Sequence, residues 1–114
     1  MDYEFPSELD FFERGFGYSE KFNHDEGMFS FVLPYENGDK LIFAHSPCGA
    51  GFVDIKLIQT DIVVFDVRKE NISNIAFQAW GNERVIRVYC LGEAAGSDFL
   101  IYYNPTPRLV YVDR

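Results

Sequence analysis

The residues best suited to covalent chemistry lie in one stretch, His45-Ser46-Pro47-Cys48-Gly49, which sets an imidazole, a hydroxyl and a thiol within four positions. These are the residue types of an activated nucleophile and its base, so a small hydrolase using Cys48 and His45 is one reading. The spacing argues against it. Nucleophile, base and orienting group must converge with set geometry, which neighbours at i, i+1 and i+3 rarely do. No helix start or basic cluster adjoins Cys48 to lower the pKa of its thiol. The stretch is expected to be part of a turn, the loop 45–51, and no catalytic residue is assigned.

Other reactive combinations are weaker still. His24-Asp25-Glu26 offers metal-ligand types, but the only two histidines, His24 and His45, stand 21 residues apart on no recognised ligand spacing, so neither metal nor cofactor is expected. Asp54, Asp61, Asp66 and Glu83 supply carboxylates for glycoside hydrolysis, yet sequence gives no separation between them. Gly15-Phe16-Gly17 and Gly49-Ala50-Gly51 are too short to cradle a phosphate, and neither opens a helical segment. Arg84 and Arg87 with Tyr89, Tyr102, Tyr103 and Tyr111 resemble a basic, aromatic surface for single-stranded nucleic acid. The segment 28–114 nevertheless holds ten acids against eight bases, so the electrostatic funnel such a surface needs is missing.

Charge is the more informative signal. The chain carries a net −8, and residues 1–27 contribute −6 of it through eight acids and two bases. An acidic field repels phosphate and anionic lipid and steers basic proteins inward, so a basic protein partner is expected, with neither nucleic acid nor membrane. The predicted contact residues are Glu8, Asp10, Glu13, Glu20, Asp25 and Glu26, with Tyr18 as an aromatic anchor. The bland alternative is a solvated acidic face with aromatics tucked beneath it.

These groups need a scaffold. At 114 residues, 47% hydrophobic and 18% aromatic, the chain has the size and apolar content of one folded domain, 1–114, with the acidic segment 1–27 packed on it. No run of about 18 apolar residues exists, and the acidic start MDYEFPSELD lacks the regions of a signal peptide, which predicts a cytoplasmic protein. Cys48 and Cys90 are expected as buried thiols, not a disulfide.

Periodicity predicts about eight strands and one short helix. The helix spans Pro6–Arg14, with Ser7 as N-cap, Asp10 as capping-box partner and Gly15 as terminator. Leu9 and Phe12 are expected to dock on the sheet, leaving Glu8, Asp10 and Glu13 in water. Met28–Leu33 alternates, Pro34 ends it, and Asn37-Gly38 turns the chain into Lys40–Ala44. Gly51–Val67 gives two strands about a break at Gln59-Thr60-Asp61, the second so apolar (Ile62, Val63, Val64, Phe65, Val67) that burial on both faces is predicted. Ile72–Trp80, Arg84–Leu91, Asp98–Tyr103 and Arg108–Asp113 complete the set. No segment of helical period separates the strands, so the fold class is mainly β: an antiparallel β-sandwich or half-open barrel, with sandwich preferred. A third functional reading follows from that architecture, a small-ligand or carbohydrate-binding module with Trp80 and the tyrosines lining a pocket between sheets.

In its size, its acid cluster (Glu8, Asp10, Glu13, Glu20, Asp25, Glu26), its strand-rich body and its missing signal peptide, the chain resembles the immunity proteins of bacterial polymorphic and contact-dependent growth-inhibition toxin systems. That resemblance implies a non-enzymatic cytoplasmic inhibitor of a cognate toxin. The toxin would often be a basic nuclease, whose positive cleft the acids would occupy in place of phosphate.

Overall fold

A computed structural model describes residues 5–47, 51–90 and 97–113. They form nine strands and one helix in two antiparallel sheets, each a simple meander. The first sheet runs β1 (Gly17–Tyr18), β2 (Phe29–Pro34), β3 (Lys40–Ser46), β4 (Phe52–Gln59) and β5 (Ile62–Glu70), in that spatial order. The second runs β6 (Ile72–Trp80), β7 (Glu83–Cys90), β8 (Ser97–Asn104) and β9 (Arg108–Asp113). No sheet closes on itself, so the sandwich reading holds. The chain passes between sheets at Asn71, whose positive φ of 60° turns the corner and whose N–H donates to the Gly51 carbonyl at 3.0 Å.

Local signals decide the tight turns. Gly38 takes φ 93° in the β2–β3 hairpin, closed by the Tyr35 N–H on the Asp39 carbonyl at 2.8 Å. Thr60 and Asp61 both adopt positive φ, 51° and 63°, as a two-residue hairpin with the right-handed twist of its strands requires.

The core lies between the sheets. A row of directly opposed residues crosses the first sheet, Phe31, Phe43, Ile55 and Val67. From the second sheet Ile75, Ile86, Val88, Ile101 and Tyr103 meet it. Helix α1 (Glu8–Glu13) closes one margin with both halves of the predicted capping box present: the Asp10 N–H donates to Ser7 Oγ at 3.2 Å, and the Ser7 N–H donates back to Asp10 Oδ2 at 2.9 Å.

Three expectations are corrected. The helix docks through Phe11, which is 0% exposed, whereas Leu9 is 62% and Phe12 37% exposed. Phe11 stacks on Phe31 at 4.1 Å and meets Phe77 edge-on at 4.9 Å, so one ring touches both sheets, a contact unavailable to Leu9 or Phe12 on the adjoining arc of the helix. Likewise β5 is not covered on both faces. It is the free edge of its sheet, and Ile62, Val63 and Val64 are 68%, 53% and 51% exposed. A register break between Leu57 and Ile58 skips Val64, and only Phe65 and Val67 pack on the core from this strand. Pairing also extends β3 through His45 and Ser46, so the loop expected at 45–51 begins later.

Replacing Phe11 with Ala should lower the unfolding free energy by about 3–5 kcal/mol, and replacing Leu9 with Ala by less than ~0.5 kcal/mol. Urea denaturation followed by fluorescence measures both. Equal losses would mean that the helix docks through its other face.

Candidate functional site

The predicted contact residues are spread over the helix and the segment that follows it. Glu8 and Tyr18 come together: the Tyr18 hydroxyl donates to Glu8 Oε2 at 2.7 Å, which raises the tyrosine pKa. Tyr18 also lies edge-on to Phe12 at 4.9 Å and close to Phe22 at 4.2 Å, so this exposed ring stands on an aromatic base. Glu20 is exposed two residues on, where the chain leaves β1. Asp25 and Glu26 are exposed in the polar turn 24–27, pinned by the Asn23–Met28 bridge and by the Glu26 N–H on Asn23 Oδ1 at 3.2 Å. Asp10 is half-buried and serves the helix cap, and hydrogen bonds from the Ser7 backbone and side chain hold its carboxyl below the ordinary range. Glu13 faces elsewhere, into a cleft lined by Arg14, Phe77, Arg84 and Tyr103. There the Arg14 guanidinium lies 4.1 Å over the Phe77 ring.

His45 is not on a loop surface. It is 1% exposed, with Phe5 at 5.0 Å, Phe29 at 5.3 Å and Phe11 at 6.0 Å between ring centroids. Burial lowers its pKa from 6.5 to about 3, so the imidazole is neutral at physiological pH. Cys48 lies outside the described residues, and Cys90 is buried in the core. Among the described residues no three of His, Cys, Asp and Glu gather as metal ligands, and no helix is long and apolar enough to cross a membrane.

The aromatic pocket that the alternative ligand-binding reading requires between the sheets is absent among the described residues, because that space is filled by the phenylalanine core. Trp80 lies at the margin of the second sheet, 41% exposed and 6.2 Å from Tyr102. Of the two arginines considered for a nucleic-acid surface, Arg87 is held by the buried Asp98 at 2.7 Å, and Arg84 donates to the Gly81 and Glu83 carbonyls at 3.3 and 3.2 Å.

What the sequence did not single out is a depression of about 540 Å³ on the outer face of the first sheet. Two rows of directly opposed residues form its floor: Val32, Ile42 and Lys56 in one, Ser30, Ala44, Asp54 and Arg68 in the other. Met28, Phe52 and Ile58 extend it, and Tyr18 and Glu20 stand on its rim. The alternation of β2 and β3 puts these residues opposite the core row, but Val32 and Ile42 occupy positions where a solvated face would be polar, the signal that could have been read.

No protein family and no curated protein matches the sequence. A solved structure does: a chain of the contact-dependent growth inhibition toxin–immunity protein complex from Klebsiella pneumoniae 342 superposes with a TM-score of 0.84 over 100% of this chain and 100% of that one, at 12% identity. At that identity the likeness is one of fold.

The buried imidazole makes a pH prediction. As pH falls from 6.5 toward about 3, the unfolded chain binds a proton at His45 that the folded chain refuses, so stability drops through that window by up to about 1.4 kcal/mol per pH unit. Above pH 6.5 the contribution is constant. Urea unfolding at pH 7, 5.5 and 4 should show His45→Leu gaining on the wild type as pH falls. A pH-independent difference would mean that water reaches the ring.

Proposed function

We propose that this chain is an immunity protein, which binds a cognate bacterial toxin of the contact-dependent growth-inhibition kind and neutralises it without catalysis. The observation that carries this reading is the end-to-end correspondence of fold with a chain of a toxin–immunity complex. The net charge of −8 supports the inhibitor's side of such a pair, because a toxin acting on nucleic acid must attract phosphate and this chain repels it. On this reading the toxin is basic, a nuclease, and its cationic cleft is what the acids meet.

The acidic segment supplies the approach and Tyr18 the hold. Glu8, Glu20, Asp25 and Glu26 set a negative field around an aromatic ring that is 52% exposed, while Asp10 and Glu13 add charge on the helix. Long-range attraction brings a basic partner in, and burial of the ring slows its departure. Tyr18 suits the second task, since its hydroxyl is already oriented by Glu8 and little freedom remains to be lost on binding.

A pull-down with this chain from its native host should recover a basic toxin by mass spectrometry, and co-expression with that toxin's domain should restore growth to cells that the toxin alone arrests. In stopped-flow association, changing Glu8, Glu20, Asp25 and Glu26 together to Gln or Asn should slow binding about tenfold at low salt, with the difference fading near 0.5 M salt. Tyr18→Ala should act on dissociation instead, speeding it about tenfold. Absence of rescue would remove the immunity reading. Unchanged association by the acid variants would remove the acidic face from it.

A further inference from the structure

The two sheets treat their outer faces differently. On the second sheet the outer apolar residues Val85 and Leu100 are covered by the chain's own groups, with Tyr102 beside them and the Arg108 guanidinium 3.7 Å over the Tyr102 ring. On the first sheet Val32, Ile42 and Ile58 instead line the open depression. These three are half-buried, and aliphatic residues gathered around an open depression on one face of an antiparallel sheet mark an interaction surface more often than a solvated one.

A second observation says what the surface would take. Asp54 lies in the middle of the floor, and its Oδ1 is shielded from solvent yet accepts no hydrogen bond. Four cations line the depression. The two whose charge acts on Asp54 are occupied, Lys56 lying 3.9 Å from Asp66 and Arg68 lying 3.6 Å from Glu70 with its guanidinium 3.9 Å over the Phe52 ring, while Lys40, opposite Ile58 in the register, and Lys21 complete the lining. An acceptor left unmet in a partly buried apolar floor is satisfied when a donor arrives with its own apolar stem, which describes the side chain of lysine or arginine. The depression is also continuous with the acidic segment, since Tyr18 and Glu20 belong to its rim.

We infer that this depression is the toxin's seat: a segment of that protein lays aliphatic side chains across Val32, Ile42 and Ile58 and places one lysine or arginine head on Asp54. The inference rests on the immunity reading and gives it a second contact surface, apolar where the helix is charged. Burial gives Asp54 a raised pKa, a side-chain hydrogen bond and charge repulsion with Asp66 add to it, and a cation against Oδ1 opposes these effects.

The test is calorimetric titration of the domain of the toxin recovered by that pull-down into wild type, Ile42→Glu, Asp54→Asn and Trp80→Ala, each first checked for a cooperative thermal transition. Ile42→Glu should weaken binding about 100-fold or more and the near-isosteric Asp54→Asn about tenfold, while Trp80→Ala, on the other sheet, stays within about twofold. Should Ile42→Glu fail to fold, Asp54→Asn and cross-saturation NMR on wild type decide: saturating the toxin should attenuate the methyls of Val32, Ile42, Ala44 and Ile58. A complex that forms with wild type and is indifferent to these changes overturns this inference alone and leaves the immunity reading standing. No complex with wild type overturns both. A wild-type homodimer dissolved by Ile42→Glu would give the face to a second copy and overturn the toxin seat.

Discussion

One ring holds this architecture together. Phe11 projects from a six-residue helix, stacks on Phe31 of the first sheet and meets Phe77 of the second. A helix of that length does not persist alone in water, because nucleation costs more than so few hydrogen bonds return. Its existence therefore depends on the ring's burial and on the Ser7–Asp10 box that organises its first turn. The dependence is mutual. Without Phe11, the margin where the sheets part would expose Phe31, Phe43 and Phe77, and the buried His45, one ring away, would lose part of its enclosure.

Because docking fixes the helix, it also fixes the charges that the helix carries. With Phe11 inward, Glu8 is carried to Tyr18 and Glu13 to the Arg14–Arg84 cleft. The acids near the chain start thus do not form one patch on one helical face. They are distributed around a docked helix and the segment after it, and the part nearest Tyr18 and Glu20 leads onto the open outer face of the first sheet.

How much of this was legible in the sequence differs by kind of signal. The Asn37-Gly38 hairpin, the capping box, the Gln59-Thr60-Asp61 break and the sandwich class were readable, because each rests on a local backbone requirement or on period-two alternation. The docking face of the helix was not. Leu9, Phe11 and Phe12 sit within four positions, so three apolar residues define no unique stripe in so short a helix, and only the hole between Phe31 and Phe77 chooses among them. Strand β5 misled for a related reason: an apolar run says that water is unwelcome, not which neighbour excludes it, and here the run ends at a sheet edge. The depression needs pairing information that composition lacks, since Val32, Ile42 and Asp54 are distant in sequence and adjacent only through register.

The uncovered β5 edge and the open sheet face raise a single physical problem, apolar surface that the isolated chain leaves in contact with water. Natural sheets usually blunt such edges with charge, and β5 does so only in its second half, through Asp66, Arg68, Lys69 and Glu70. Its first half, Ile62–Val64, carries no such protection. A strongly negative chain is partly shielded from self-association by mutual repulsion, which lets it keep apolar surface open at a concentration where a neutral chain would aggregate. The same repulsion vanishes against a basic protein. Net charge and exposed aliphatic surface then act as one selection rule: like copies are held apart, and a cationic partner is admitted to surface that none of the described residues covers.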